Sequence, residues 1–253
     1  MKKSLVVKLL PLTVFFFAFF GCTTLEEEVI DESLTGAGQA EVVSGSIGPV
    51  YGFLRGAIWL HTTQFGLQEI ASDEAILPYR GGRDWFDGGK FIAVHQHLTT
   101  PGNSLVGDTW TNMTIGLSRA LTAEERMRLE VKEGNAAAQD ALYEMVAMKA
   151  YINMMILDNW GLVFKKSATN EKSGILRGQD AVSYLEKELL SVRAVIKSDK
   201  GAGRLNQFSV KALLARLYLN AAVYRDPYGT PVFKKEDMDN VIKYTNEIVA
   251  GPY

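Results

Sequence analysis

A second cysteine is missing from this chain of 253 residues. Cys22 stands alone, so no intrachain disulfide can form and the fold has to rest on its apolar core. A charge excess of one sign is missing as well. Against 29 acidic residues there are 27 Lys and Arg, which is no basic footprint for the phosphates of a nucleic acid. Histidine is scarce, at three. His95 and His97 would face the same way on a strand, but two such ligands without a third histidine or cysteine nearby do not make a metal site. Beyond the first 21 residues there is no further long hydrophobic run. The chain carries no nucleophile elbow, Walker loop or zinc-binding helix motif. Its acidic residues could supply the two carboxylates of a glycosidase, yet nothing singles out such a pair. The reading is of a protein that binds without catalysing, with no metal and no cofactor.

What the chain does have begins at its start. Met1-Lys2-Lys3 is basic, Leu9 to Phe20 is nearly all apolar, and Gly21-Cys22 closes the run with a small residue and a thiol. That is the layout of a secretory signal peptide. A small residue before cysteine resembles the lipobox of bacterial lipoproteins, in which the leader is cut before a cysteine that then carries lipid. On this reading residues 1–21 are the signal peptide and Cys22 is the lipidation site. A plain secretory signal with an incidental cysteine is the alternative. Glu26-Glu27-Glu28 follows, in a stretch (22–38) that reads as a polar tether holding a folded domain (39–253) at a membrane surface. The acidic tract resembles the export signal that sends lipoproteins of Bacteroidetes-type bacteria to the outer face of the outer membrane; a solvated leader is its simpler meaning.

The second half is strongly helical in pattern. From Ala136 to Asp158, Leu142, Met145, Val146, Ile152, Met155 and Ile156 recur at helical spacing, and Tyr143, Ala147, Tyr151, Met154 and Leu157 make a second apolar face. A helix apolar on both sides is buried on both sides. Gly161 is placed to end it. Asp180 is the expected cap of a helix carrying Val182, Leu185, Leu189, Val192 and Ile196, and Ser209 the expected cap of the next. Asp237 to Val249 forms the last, stopped by Gly251-Pro252. None of these helices has enough apolar surface to stand alone. The expected fold is mostly α, with tetratricopeptide-like stacked helical hairpins. In the first half, helices are expected at Gln39–Leu60 and Leu105–Val131.

Between them, Phe65 to Thr100 differs. Glycine pairs, few aliphatic repeats and interleaved polar and aromatic residues predict a long structured loop insertion with short strands. Its centre runs Pro78-Tyr79-Arg80-Gly81-Gly82-Arg83-Asp84-Trp85-Phe86-Asp87-Gly88-Gly89-Lys90, preceded by Ser72-Asp73-Glu74. A neutral hydroxylated ligand such as a sugar wants a flat aromatic for its C–H faces, here Trp85. Its hydroxyls want forked donors and carboxylate acceptors, here Arg80, Arg83, Asp73, Asp84 or Asp87. Equally, these arginines and aspartates could pair with one another and stiffen the loop. Trp110, Trp59 and Trp160 follow helical stripes and are expected to pack.

With these segments in order, the sequence resembles the SusD/RagB family. The resemblance is carried by the lipoprotein-like leader, the Ser72-Asp73-Glu74 to Gly89 segment, His95-Gln96-His97, and a helix with Trp110. Ala147 to Gly161 and Ser209-Val210-Lys211-Ala212-Leu213-Leu214-Ala215-Arg216-Leu217-Tyr218-Leu219 extend it to the later helices. It implies a cell-surface lipoprotein of the outer membrane on a tetratricopeptide-type scaffold. Such a protein captures polysaccharide or oligosaccharide and passes it to a SusC-type TonB-dependent transporter, without cleaving it. Peptide or other nutrient capture in the same kind of complex, or a helical scaffold without a ligand, are the alternatives. Family members are about twice this length, so the chain corresponds to their N-terminal half.

Overall fold

The computed structural model describes residues 36–78, 80–81, 85–165 and 174–252. The leader, Cys22, the acidic tract, and Tyr79, Gly82, Arg83 and Asp84 lie outside them.

Helix α1 (Gly36–Phe53) begins three residues before the expected start and ends in a π-helical turn, Leu54–Ile58. Its last carbonyls would be left unpaired. The buried Thr63 hydroxyl lies 2.6 Å from the Ile58 carbonyl, to which it donates. Helix α2 (Gln64–Ala71) follows. After a one-turn 3-10 helix, Asp87–Gly89, comes α3 (Lys90–His95). The stretch expected to hold short strands therefore carries short helices instead, and no strand among its described residues. Glycine pairs and aromatics fit either reading, and helices of six and eight residues are too short to print a 3.6-residue rhythm. His95 and His97 consequently do not share a strand face: His95 closes α3 and His97 takes a left-handed backbone.

Helix α4 (Ser104–Lys132) starts where the Asn103 side chain accepts from the Leu105 N–H at 2.9 Å. Helix α5 (Ala138–Trp160) is buried nearly all round, as its two apolar faces predict, and Gly161 (φ 64°) ends it with its N–H on the Leu157 carbonyl. A small antiparallel hairpin unforeseen from the sequence follows, β1 (Val163–Lys165) and β2 (Gly174–Leu176), with Phe164 opposite Ile175. Asn153 of α5 holds β1 by donating to the Phe164 carbonyl (3.2 Å) and accepting from its N–H (3.0 Å). Helix α6 (Gly178–Arg193) has Arg177 at its N-cap position, with no side-chain capping bond, and Asp180 falls in its first turn instead. Helix α7 (Gln207–Arg225) is capped by Asn206, which accepts from the N–H of Ser209 at 2.9 Å. The expected cap is thus the capped residue, a shift of one turn. Helix α8 (Lys235–Val249) ends the described chain.

From α4 onward each helix packs on its neighbour in sequence, and α1 lies against α4 and α5. One continuous core results, with Met113, Met127, Met145, Met148, Ile152, Met154, Met155, Ile156, Leu185, Leu214 and Leu217 fully buried. Trp59, Trp110 and Trp160 pack against it, as expected. A separate small cluster of Ile70, Phe91, Val94 and Leu105, flanked by Leu67, Ala71 and Leu77, ties α2 and α3 to the start of α4.

Charges inside the stack come in ion-paired groups, as burial demands. Lys149 of α5 lies 2.8 Å from Glu124 of α4 and 2.6 Å from Glu188 of α6. Burial alone would lower its pKa, but the two carboxylates outweigh that and raise it. Glu144, also of α5 and fully buried, accepts from Arg204 through two nitrogens at 2.5 Å, from Lys200 at 2.7 Å, and from the Tyr51 hydroxyl of α1. Burial pushes the Glu144 carboxyl up, yet these three donors leave it below the usual carboxylate range. Among the described residues no helix is long and apolar enough to cross a membrane.

Candidate ligand-binding site

The segment from α2 to the end of α3 is built by forced turns. At the end of α2 the Ala75 N–H reaches back to the Glu69 carbonyl (3.0 Å), and Asp73 between them adopts φ 62°. The Glu69 carboxyl is raised in pKa by its hydrogen bond with Glu74, by burial and by the charge of Glu74, in that order. Farther on, Asp87 (φ 38°), Gly88 (φ 69°) and Gly89 (φ 83°) are three consecutive left-handed residues. They swing the chain from the exposed Trp85-Phe86 pair into α3. At the other end of α3, His97 (φ 55°) stands where a Schellman cap normally has glycine. The Leu98 N–H bonds the Ala93 carbonyl at 2.8 Å, and the His97 N–H bonds the Val94 carbonyl at 3.1 Å.

Asp73, Asp87 and His97 are all the non-glycine left-handed residues among those described. Strain of this kind persists where surrounding structure over-determines it, and it clusters at ligand sites. Here its result is an aromatic ledge. Phe91 is buried as the anchor. The Trp85 ring packs T-shaped with Phe91, centroids 6.2 Å apart, and with His61, centroids 5.1 Å apart, so two neighbours fix its plane. Even so, Trp85 keeps 41% of its surface exposed, beside Phe86 at 47%. A ring braced by two neighbours with part of its surface open to solvent suits stacking on an apolar face of a ligand.

The polar candidates divide. Asp73 pairs with His95, Oδ1 to Nδ1 at 2.9 Å, off hydrogen-bond alignment. An imidazole thus stands beside its carboxylate. Arg80 and Asp87 are exposed on the same loop. Arg83 and Asp84 fall outside the described residues. His61, which backs the Trp85 ring, is a contributor that sequence reasoning missed; it lies in a different turn, and nothing local marks it. Among the described residues no group of three or more His, Cys, Asp or Glu is placed to hold a metal.

No family model and no curated protein sequence matches the chain. Two solved structures share its architecture. One is a crystal structure with xylogluco-oligosaccharide, superposing with TM-score 0.60 at 17% identity over 83% of this chain and 40% of that one. The other is a SusD superfamily protein from Bacteroides vulgatus ATCC 8482, with TM-score 0.55 at 14% identity over 85% of this chain and 49% of that one. The fold is SusD-like. It is mostly helical, as the sequence pattern and its resemblance to SusD/RagB proteins imply. This SusD-like chain spans less than half the length of either neighbour.

Proposed function

We propose that the protein is a cell-surface lipoprotein that captures a polysaccharide or oligosaccharide and delivers it to a SusC-type TonB-dependent outer-membrane transporter. Capture is non-covalent and no bond of the ligand is cleaved. The reading is carried by one observation above all: a Trp85 braced by two rings yet left part-exposed on a strained loop of a SusD-like scaffold. A structural neighbour solved with xylogluco-oligosaccharide supports the ligand class. Trp85 supplies the stacking face, and Arg80, Arg83, Asp73 and Asp84 are the polar partners in reach along the sequence. Cys22, acylated after removal of residues 1–21, is the anchor, and the acidic stretch up to residue 38 is the tether.

The test is affinity electrophoresis on gels cast with polysaccharide, xyloglucan first. Trp85→Ala should lose most of the retardation while keeping the melting temperature within a few degrees. Unchanged retardation removes Trp85 from the site. Globomycin treatment or Cys22→Ala should release the protein from the membrane fraction; protein that stays membrane-bound refutes the anchor.

A further inference from the structure

Asp158, Asn159 and Trp160, at the C-terminal end of α5, form a ridge shared by two cavities. One, about 330 Å³, is closed by Val223 and Tyr224 of α7 and by Pro227 and Tyr228 of the turn after it. The other, about 390 Å³, lies toward α2 and is closed by Leu67, Gln68, Thr99 and Val106. Both fall at the small end of the range of ligand pockets, about 300–1,000 Å³.

Every polar group on the ridge is held from behind. Asp158 takes Arg216 on one oxygen at 2.5 Å and the Tyr224 hydroxyl on the other. Its charge is thereby already balanced, which favours a neutral ligand over an ionic one. Asn159 uses both amide hydrogens, on Gln64 Oε1 at 2.7 Å and on the Met155 carbonyl at 2.8 Å. That leaves its Oδ1 as an acceptor. Behind it, Gln64 is fully buried and its Nε2 has no hydrogen-bond partner, a costly state unless the neighbourhood takes up a polar group. The Trp160 ring is braced T-shaped against Trp110, centroids 5.0 Å apart. Tyr228, in contrast, is 97% exposed at the cavity mouth. An aromatic so exposed gains nothing from the fold of this chain.

We infer that this ridge is a second saccharide-binding site, separate from the Trp85 loop. A pyranose ring sits between Trp160 and Tyr228, and its hydroxyls donate to Asn159 Oδ1. The inference rests on the glycan-capture reading and deepens it. Two weak sites on one rigid body would hold a polymer far better than either alone, because the second contact is intramolecular.

Tryptophan indole resonances of ¹⁵N-labelled protein separate the two sites, since the chain has four tryptophans, one at each of 59, 85, 110 and 160. Xylogluco-oligosaccharide and maltoheptaose serve as probes. The expected result is that the Trp85 and Trp160 signals both move, with different midpoints, and that Tyr228→Ala weakens only the Trp160 response, by about tenfold. Movement of Trp85 alone overturns the second site and leaves the capture reading standing. Movement of Trp160 alone keeps the ridge and overturns the Trp85 site. With neither moved by either probe, both readings fall. A Trp160 response unchanged in Tyr228→Ala overturns the assigned geometry.

Discussion

From α4 to α8, helix follows helix with a shared interior of fully buried methionine, leucine and isoleucine, and buried ion groups link three elements at a time. The stretch from Gln64 to Leu98 packs on a small cluster of Ile70, Phe91, Val94 and Leu105, yet among the described residues it carries all the left-handed non-glycine residues, together with the exposed Trp85-Phe86 pair. The stack gains its order from burial. The α2–α3 segment gains its order by leaning on the stack and on forced turns. Such a division is expected where one part must be rigid and the other must keep apolar surface open to a ligand.

The largest blow to that contrast should come from inside the stack. Lys149→Ala strands Glu188 and leaves buried Glu124 to Arg128 alone, and should cost about 3 kcal/mol, visible as a shifted urea midpoint for the whole domain. Phe91→Ala should cost about 3 kcal/mol, but spent locally: hydrogen exchange should accelerate across residues 64–98 while α5 and α6 stay protected. Equal acceleration everywhere would mean that the two regions are one cooperative unit.

Glu144→Gln comes next, at about 2 kcal/mol near neutral pH. The Glu144 carboxyl is depressed in the folded state, so its contribution is complete above the unfolded value of about 4.3 and is lost as pH falls through the lower folded value. The variant should therefore show a flatter acid limb in thermal melts between pH 5 and pH 2. An unchanged limb would assign acid sensitivity to other groups. The smallest effect should be a gain. His97→Gly relieves a left-handed residue in a Schellman cap and should stabilise α3 by about 0.5 kcal/mol, read as slower exchange at the Leu98 amide. Slower exchange with weaker glycan retention would tie the strain to binding.

The same two regions differ in how far the sequence disclosed them. Helices α6 and α7 announce themselves because each buries residues at intervals of three and four, α5 because it is apolar on both faces, and Gly161 closes α5 as its position implies; α8 buries only Asp237 and Tyr244 and leaves Ile242 and Val249 exposed. Both helix starts lie three residues ahead of the expected caps: Asn206 wins the cap of α7 through its bond from the Ser209 N–H, and α6 begins after Arg177 with no side-chain cap at all, neither of which local spacing marks. In α2 and α3 the reading of strands failed because one or two turns of helix do not establish a period. Trp85 was legible as a ring out of place in a polar glycine-rich run. His61, which steadies it, was not, and neither was the Gln64–Asn159 bond across 95 positions. Contacts between distant segments leave no trace in local spacing.

That last bond has a mechanical meaning. Gln64 is the first residue of α2 and Asn159 the next-to-last of α5, so the amide pair bolts the small segment to one end of the longest-buried strut in the molecule. Traction on the Trp85 ledge by a polymer being reeled in would be passed along the axis of α5 and spread through the stack, instead of peeling α2 and α3 away.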